Sequence, residues 1–335
     1  MTAATMTAAM MKAVEYEGAG GPEVLRVVQR PRPEAGAGEV LIKVVAAGLN
    51  RADVQQRRGV YPPPPGASDI PGLEVSGTVA AVGRDVAGFE VGASVCALLT
   101  GGGYAEYVAV PAGQVLPVPA GIGLVDAAAL PEVACTVWSN LFMNVRVAAG
   151  DWVLIHGGAG GIGTMATQMV AAFGARPVVT AGSTEKLEYC RGFGAVGGID
   201  YRHEDFVERM RDISGGHGAD VILDVIGASY LDRNIRALAF GGRLVVLGLQ
   251  GGTKAELDLG LLMSRRASVL GTTLRARPAE EKAQVVAQVA QNVWPLVEAG
   301  TVRTAVEARY PMEEAAEAHR HFDSGRHTGK ILLTM

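Results

Sequence analysis

An apolar run of five residues, Trp152–His156, leads at once into Gly158-Ala159-Gly160-Gly161-Ile162-Gly163. Ile162, Met165, Ala166, Met169, Val170 and Phe173 then recur at helical spacing. This strand–glycine–helix order constrains the chain more than any other feature. The glycines fit G-x-G-x-x-G, a spacing that says little by itself where 45 of 335 residues are glycine. Between a buried-type strand and an amphipathic helix, however, it predicts a dinucleotide-binding turn. Gly158 is expected to permit the tight turn, Gly160 to let backbone approach a pyrophosphate, and Gly163 to let helix and strand pack closely. Gly161 and Ile162 then stand at a helix amino terminus, where free N–H groups and the positive dipole end favour phosphate.

The surrounding pattern fits that turn. Pro177–Ala181, Ala219–Val225, Arg243–Leu247 and Val269–Thr273 read as further strands, with helical or turn material between them. The β-α-β rhythm predicts an α/β fold with a doubly wound parallel sheet. Before it, the first third is β-rich, with strands over Lys12–Tyr16, Val24–Val28, Glu39–Ala47, Val75–Val82, Ala93–Leu98 and Tyr104–Val110. Tyr61–Gly66, Y-P-P-P-P-G, is a stiff surface loop of polyproline type. Leu124–Val145 turns helical. After Arg277 come a long helix to about Glu298, a strand (Thr304–Tyr310), a helix (Met312–Phe322) and a last strand (Lys330–Thr334). Trp152–Ala175 is uncharged and long enough to cross a bilayer, but glycines fill its middle, so it reads as strand plus helix.

Apolar residues make up 49% of the chain and charged ones 19%, which excludes a disordered, charge-rich chain. A net charge of −4 gives no field for nucleic acid or anionic lipid. Cys96, Cys135 and Cys190 are scattered and odd in number, which is no disulfide framework and points to a reducing, cytoplasmic compartment. None of the six histidines forms H-E-x-x-H, and no two cysteines stand at metal-ligand spacing. His319-Arg320-His321 reads as a solvated helix face, and His156 as a packing or hydrogen-bonding residue beside the glycines.

The end of the second strand bears on the coenzyme. An NAD site places an acid there for the ribose 2′-hydroxyl. This chain has Thr180-Ala181-Gly182-Ser183 instead. Gly182 leaves room, Ser183 offers a hydroxyl, and Lys186 follows within a helical turn, so NADPH is expected, with Glu185 as a neighbour that could offset Lys186.

Several runs together carry a resemblance to a family. They are Ala47-Gly48-Leu49-Asn50-Arg51-Ala52-Asp53, Gln56-Arg57-Arg58-Gly59, the Tyr61–Asp69 stretch, Pro71-Gly72-Leu73-Glu74, Gly101–Pro111, Leu130-Pro131-Glu132 and the glycine turn. From Met11 to Met335 the chain resembles the zinc-independent quinone oxidoreductases of the medium-chain dehydrogenase/reductase superfamily, and within them the p53-inducible quinone oxidoreductase group. Zinc-dependent alcohol dehydrogenases of that superfamily carry a zinc-binding Cys where Asn50 stands and Gly-His-Glu where Gly72-Leu73-Glu74 stands. The resemblance therefore implies no metal.

It also implies an architecture: residues 1–11 as a disordered extension, 12–134 as a GroES-like substrate domain, 135–274 as an inserted Rossmann domain, and 275–335 returning to the substrate domain. A homodimer through the Rossmann edge strands is expected, with Ser268–Thr273 as the edge. By position, Asn50 and Thr136 would lie by the nicotinamide. Gly182, Lys186 and Tyr201 would form the 2′-phosphate pocket. Leu247, Gly248, Leu249 and Leu274 would flank the nicotinamide ring, and Lys330 would reach phosphate.

A quinone accepts hydride without a Lewis acid, so placement, exclusion of water and a donor to the developing oxyanion would suffice. Tyr61 is the first candidate donor and Asn50 the second, with Asp53 orienting its neighbours. The expected activity is NADPH-dependent quinone reduction. The alternatives are an NADPH-dependent enoyl-thioester or alkenal C=C reductase, which would want a basic cleft mouth such as Arg57 and Arg58, read first as solvated, could supply, and a non-catalytic NADPH-binding sensor. The partner would be a quinone or another small conjugated carbonyl compound.

Overall fold

The computed structural model describes residues 9–335. They form two compact units. The first runs to Glu132 and takes in Arg275–Gln291 and Val306–Met335; the second is Val133–Leu274 with Asn292–Ala305.

In chain order the elements begin with β1 (Met10–Tyr16), β2 (Leu25–Pro31), β3 (Glu39–Gly48), α1 (Arg51–Arg57), β4 (Glu74–Val82), β5 (Ser94–Leu98), β6 (Tyr107–Pro111) and β7 (Val115–Pro117). Helix α2 (Pro131–Val137) runs on as a π-helix over Trp138–Asn144. The alternating region follows: β8 (Trp152–His156), α3 (Gly161–Ala172), β9 (Arg176–Ala181), α4 (Thr184–Arg191), β10 (Gly197–Asp200), α5 (Phe206–Ile213), β11 (Ala219–Asp224), α6 (Leu231–Ala237), β12 (Leu238–Val246), α7 (Leu259–Arg265) and β13 (Ser268–Gly271). Last come α8 (Ala279–Asn292), α9 (Trp294–Glu298), β14 (Val306–Pro311), α10 (Ala315–Asp323) and β15 (Lys330–Thr334).

The first unit is built on a sheet of order β14-β15-β3-β4-β5-β7, with β6 also paired to β3. Its core is aliphatic, as the low aromatic content requires: Ile42, Val44, Val75, Val79, Val95, Val110, Ile331 and Leu333 are buried. Strand β15 lies between β14 and β3, which is why Ile331, Leu332 and Leu333 are buried without alternation. The expected amino-terminal extension ends earlier than residue 11. Met10 and Met11 pair with Pro31 and Arg30, and Met11 is buried; the rest of that extension, residues 1–8, lies outside the described residues.

The second unit is a six-stranded, wholly parallel sheet of order β10-β9-β8-β11-β12-β13. This is the order of a doubly wound dinucleotide fold. The expected return at residue 275 is interrupted, because Asn292–Ala305 rejoins this unit. Gln168 on α3 exchanges two hydrogen bonds with the Arg303 backbone, at 3.1 and 2.7 Å, and the Arg303 guanidinium lies over Phe193. The single long helix expected after Arg277 breaks at Val293, and Pro295 opens α9.

Candidate active site

In a parallel sheet the carboxyl ends of all strands share one edge. That edge of the second unit gathers the glycine turn after β8, Gly182 and Ser183 after β9, Tyr201 after β10, Leu247–Leu249 after β12 and Leu274 beyond β13. The strand order reverses between β8 and β11, the switch point beside the turn where open sheets of this kind take their ligand. The left-handed residue that turns the chain is Gly157, with φ 72°, not Gly158. Gly158 lies against β9, where a Cβ would stand 2.5 Å from the Cβ of Val179. A Cβ on Gly163 would run into the carbonyls of Gly157 and Gly158, so only glycine lets α3 begin this close to the turn. The amides of Gly161, Ile162 and Gly163 are first-turn donors, which a helix cannot satisfy internally.

At the end of β9 a Cβ on Gly182 would lie 2.7 Å from the Tyr201 hydroxyl and 3.1 Å from Nε of Arg202. The absent side chain thus admits a tyrosine hydroxyl and a guanidinium to the spot where an NAD site keeps its acid. Lys186 stands on the first turn of α4. Ser183 is not the free donor expected. It caps α4 by accepting from the Lys186 amide at 3.3 Å, and its side chain bonds Glu185, whose carboxyl is held below its ordinary range by that bond.

His156 is buried, bonded to Thr180 Oγ1 at 3.1 Å and to Asn234 Oδ1 at 2.8 Å, and burial pushes its pKa down to about 4. It stays neutral and structural, as its place beside the glycines implied. Thr136 lies in the last turn of α2, just before the π-helix: its carbonyl accepts from Asn140 Nδ2 at 2.8 Å and Ser139 Oγ at 3.2 Å, and Asn140 Oδ1 in turn accepts from Thr272.

In the first unit, Asn50 precedes α1 and its amide is locked. Nδ2 donates to Glu74 Oε1 at 2.9 Å and to the Gly48 carbonyl at 3.3 Å, while Oδ1 accepts from Lys330 Nζ at 2.8 Å. An amide has two N–H donors, and both are used. Asn50 therefore cannot donate to a developing oxyanion as expected; what it retains is acceptor capacity at Oδ1. Lys330 is a second correction. It is buried, and its ammonium donates to Glu74, Asn50 Oδ1 and the Leu49 carbonyl. With three acceptors it is spent, so it holds Asn50 rather than a phosphate. Glu74, wholly buried, also accepts from the Glu132 amide at 2.9 Å.

Asp53, expected to orient its neighbours, is held among them. It is fully buried and accepts from the Asn50 amide at 2.8 Å, the Gly72 amide at 3.1 Å and the Tyr104 hydroxyl at 3.2 Å. Burial raises its pKa to about 6 against the pull of the two amides. It fixes the start of α1 and the turn before Glu74, and it faces no open space. Tyr61 is half-buried on the proline loop, its ring centroid 5.5 Å from the Arg275 guanidinium. Burial raises its pKa while Arg275 opposes the rise, so the hydroxyl stays protonated at neutral pH.

Two expectations of solvation fail. Arg57 is buried and donates to the Gly20 carbonyl at 3.1 Å and to Asp323 at 2.6 Å, with Nη1 3.1 Å from His319 Nδ1. His319 is buried with it, and burial first, then Arg57, lowers its pKa to about 3. Arg57 is thus no cleft-mouth cation, and Arg58, though half exposed, is paired to the same Asp323 at 3.1 Å. Sequence reasoning missed Arg202, Asn140 and Arg275. Only Arg202 had a local signal, as the neighbour of Tyr201.

At the position that resemblance compares with a zinc site, the side chains are Asn50, Leu73 and Glu74, and Glu74 already holds an ammonium. This donor set does not fit zinc, which needs at least three Cys, His or carboxylate ligands: only Glu74 is of that kind, and the Lys330 ammonium already sits on it. Among the described residues no cluster of three His, Cys, Asp or Glu is placed to hold a metal.

Comparison with known proteins places this geometry. A zinc-binding dehydrogenase model matches residues 161–291 and an alcohol dehydrogenase GroES-like domain model residues 36–120. Quinone oxidoreductase of Rattus norvegicus is 31% identical over 332 residues, 97% of this chain and 98% of that protein. A phenolphthiocerol/phthiocerol polyketide synthase of Mycobacterium tuberculosis is 34% identical over 313 residues, which cover 92% of this chain but 14% of that protein. Among solved structures, Escherichia coli quinone oxidoreductase complexed with NADPH superposes with a TM-score of 0.87 at 29% identity, covering 98% of this chain and all of that one.

Proposed function

Because the chain belongs to the medium-chain dehydrogenase/reductase superfamily, with quinone oxidoreductases among its full-length relatives, we propose that it reduces quinones with NADPH and without a metal. The observation that carries this reading is the Lys330 ammonium seated on Glu74 beside Asn50. A cation built into that position leaves no ligand set for a Lewis acid. An acceptor that takes hydride readily without a Lewis acid suits such a site, as a quinone does better than a simple aldehyde.

NADPH, when bound, supplies the hydride. The chain's own residues bind, orient and protonate. The α3 amides would take the pyrophosphate. Lys186, Arg202 and Tyr201 would take the 2′-phosphate, for which two cations at a glycine suit better than the hydroxyl of NADH. Locked as an acceptor, Asn50 Oδ1 would receive a hydrogen bond from the nicotinamide carboxamide. Tyr61, protonated and next to Arg275, would donate to the quinone oxygen as charge develops there. Lys186 has Glu185 as its neighbour in sequence, but the bond of Glu185 to Ser183 ties that carboxylate to the helix cap.

The dimer expected from the edge strand is part of this reading. β13 is the free edge of the parallel sheet, Val269 on it is partly exposed, and Leu259, Met263 and Phe240 are exposed on α7 and β12. An uncovered edge with apolar neighbours is a pairing surface. Cys96, Cys135 and Cys190 are buried and form no disulfide, as a reducing compartment would keep them, and no described helix is long and apolar enough to cross a membrane.

The test is loss of NADPH absorbance with benzoquinone, phenanthrenequinone and crotonyl-CoA, repeated with NADH. Quinone turnover favouring NADPH is expected. The polyketide synthase relative makes C=C reduction the second reading, and turnover of crotonyl-CoA alone would establish it. Saturable NADPH binding with no turnover of any acceptor would make the chain a sensor.

A further inference from the structure

Within the first unit lies a cleft of about 710 Å³. Its walls include the prolines of the 31–33 and 64–65 segments, and its cationic side is formed by Arg275, Arg277 and Lys282. Arg30 also borders it but is already neutralised by Glu15 and Asp69. Among the described residues, no acidic side chain lines the cleft.

Arg275 and Lys282 are both buried. Arg275 donates Nε to the Thr100 carbonyl at 2.8 Å and Nη2 to Gln56 Oε1 at 2.7 Å, and its Nη1 is buried with no hydrogen-bond partner. Lys282 donates to Thr100 Oγ1 and, at 3.3 Å, to the Arg275 carbonyl. Every one of these acceptors is neutral. The other two buried cations of this unit are treated differently: Arg57 meets Asp323 and Lys330 meets Glu74. Two neighbouring cations out of water with no carboxylate in hydrogen-bonding contact are unfavourable unless an anion completes them. Glu132 acts on the charge of Lys282, but it does not line the cleft. Burial, with Arg275 adding to it, lowers the pKa of Lys282.

We propose that this cleft binds a small organic anion, a carboxylate or phosphate ester, with Lys282, Arg275 and Arg277 as its counter-charges and the proline walls holding its apolar part. The volume is in the range of small-molecule sites. The inference does not depend on what acceptor the chain reduces.

Phenyl phosphate is the probe, titrated calorimetrically into the full chain with and without saturating NADPH, with phenol as the neutral control. Saturable one-to-one binding is expected under both conditions, with none for phenol. Lys282→Met should weaken it roughly 10- to 100-fold, as loss of a charge-assisted bond does, and Arg277→Gln should weaken it in the same direction. Since Lys282→Met also removes an uncompensated charge, its thermal midpoint should not fall; NADPH affinity reports that either variant is folded. Binding that both variants leave unchanged overturns the proposal. So does binding abolished by NADPH, which would place the probe on the coenzyme's phosphate positions, and so does the absence of any saturable binding.

Discussion

Lys330→Met is the most informative perturbation of the first unit. In the folded chain the ammonium gives Glu74 its counter-charge and holds Asn50 Oδ1. Met fills nearly the same volume and removes only the charge and the three donors. Glu74 is left buried, with Asn50 Nδ2 and the Glu132 amide as its remaining donors. Removing one member of a buried pair costs about 3–5 kcal/mol, mostly the penalty of the stranded charge. At very roughly 3 °C per kcal/mol for a unit of this size, the thermal midpoint should fall by about 10 °C. Glu74→Gln placed on top removes the stranded carboxylate. The double variant should therefore recover about half the loss or more, a coupling that a double-mutant cycle reads directly. Catalysis should suffer in both, because Asn50 loses the contact that fixes its amide, and kcat with benzoquinone should fall while the preference for NADPH over NADH stays constant. Two results refute the reasoning. A Lys330→Met midpoint within about 2 °C of the parent would mean that the pair carries little energy. A selective loss of NADPH over NADH binding would mean that Lys330 serves the 2′-phosphate after all.

Three further outcomes follow from the sites described. Arg202→Ala combined with Lys186→Ala should weaken NADPH binding by roughly 100-fold, from two charge-assisted bonds, and leave NADH within about twofold; equal losses for both coenzymes would remove these residues from the phosphate pocket. Tyr61→Phe should lower kcat for quinones by roughly 10- to 100-fold with the NADPH dissociation constant unchanged, and an unchanged kcat would make Tyr61 a wall only. Asp53 has a folded pKa of about 6, above its ordinary 3.8, so the folded chain holds that proton more tightly and its contribution to stability falls as pH rises through that window. Denaturant titrations should show the parent losing about 3 kcal/mol relative to Asp53→Asn between roughly pH 4 and pH 6, and a difference flat across that interval would contradict the raised pKa.

What could be read from the sequence was what local physics determines. The glycine turn and strands β8 and β15 follow from neighbours a few residues apart. Helix α1 was missed although Asn50 and Asp53 stand three apart at its start, the spacing by which a side chain returns to the cap amide. Its seven residues are too short for a periodic signal. The same limit hid α6 and α7, while the break before α9 was marked by Pro295 and passed over because the apolar spacing continues across it.

The misread side chains share another cause. Arg57 and His319 read as solvated, the default for a charged or polar ring side chain, and Lys330 as a cation able to reach phosphate. Each is buried because its partner arrives from the far end of the chain: Asp323 lies 266 residues from Arg57, and Glu74 lies 256 residues from Lys330. His319 and His321, two residues apart, lie on different sides of α10. One side, however, packs on Arg57 and Tyr104, and the other turns to Tyr310. The pairing of Lys330 with Glu74 then decides the chemistry of Asn50. A side chain that looks amphoteric in sequence, two donors and an acceptor, is reduced by the fold to an acceptor. That leaves donation to the substrate oxygen to Tyr61. An acceptor-only Asn50 also has a consequence open to measurement: Asn50→Asp, which keeps the acceptor but sets a second carboxylate against Glu74, should bind NADPH far more weakly than Asn50→Ala, which loses the contact alone. If the aspartate variant binds as well as the parent, the amide is not held in the orientation described.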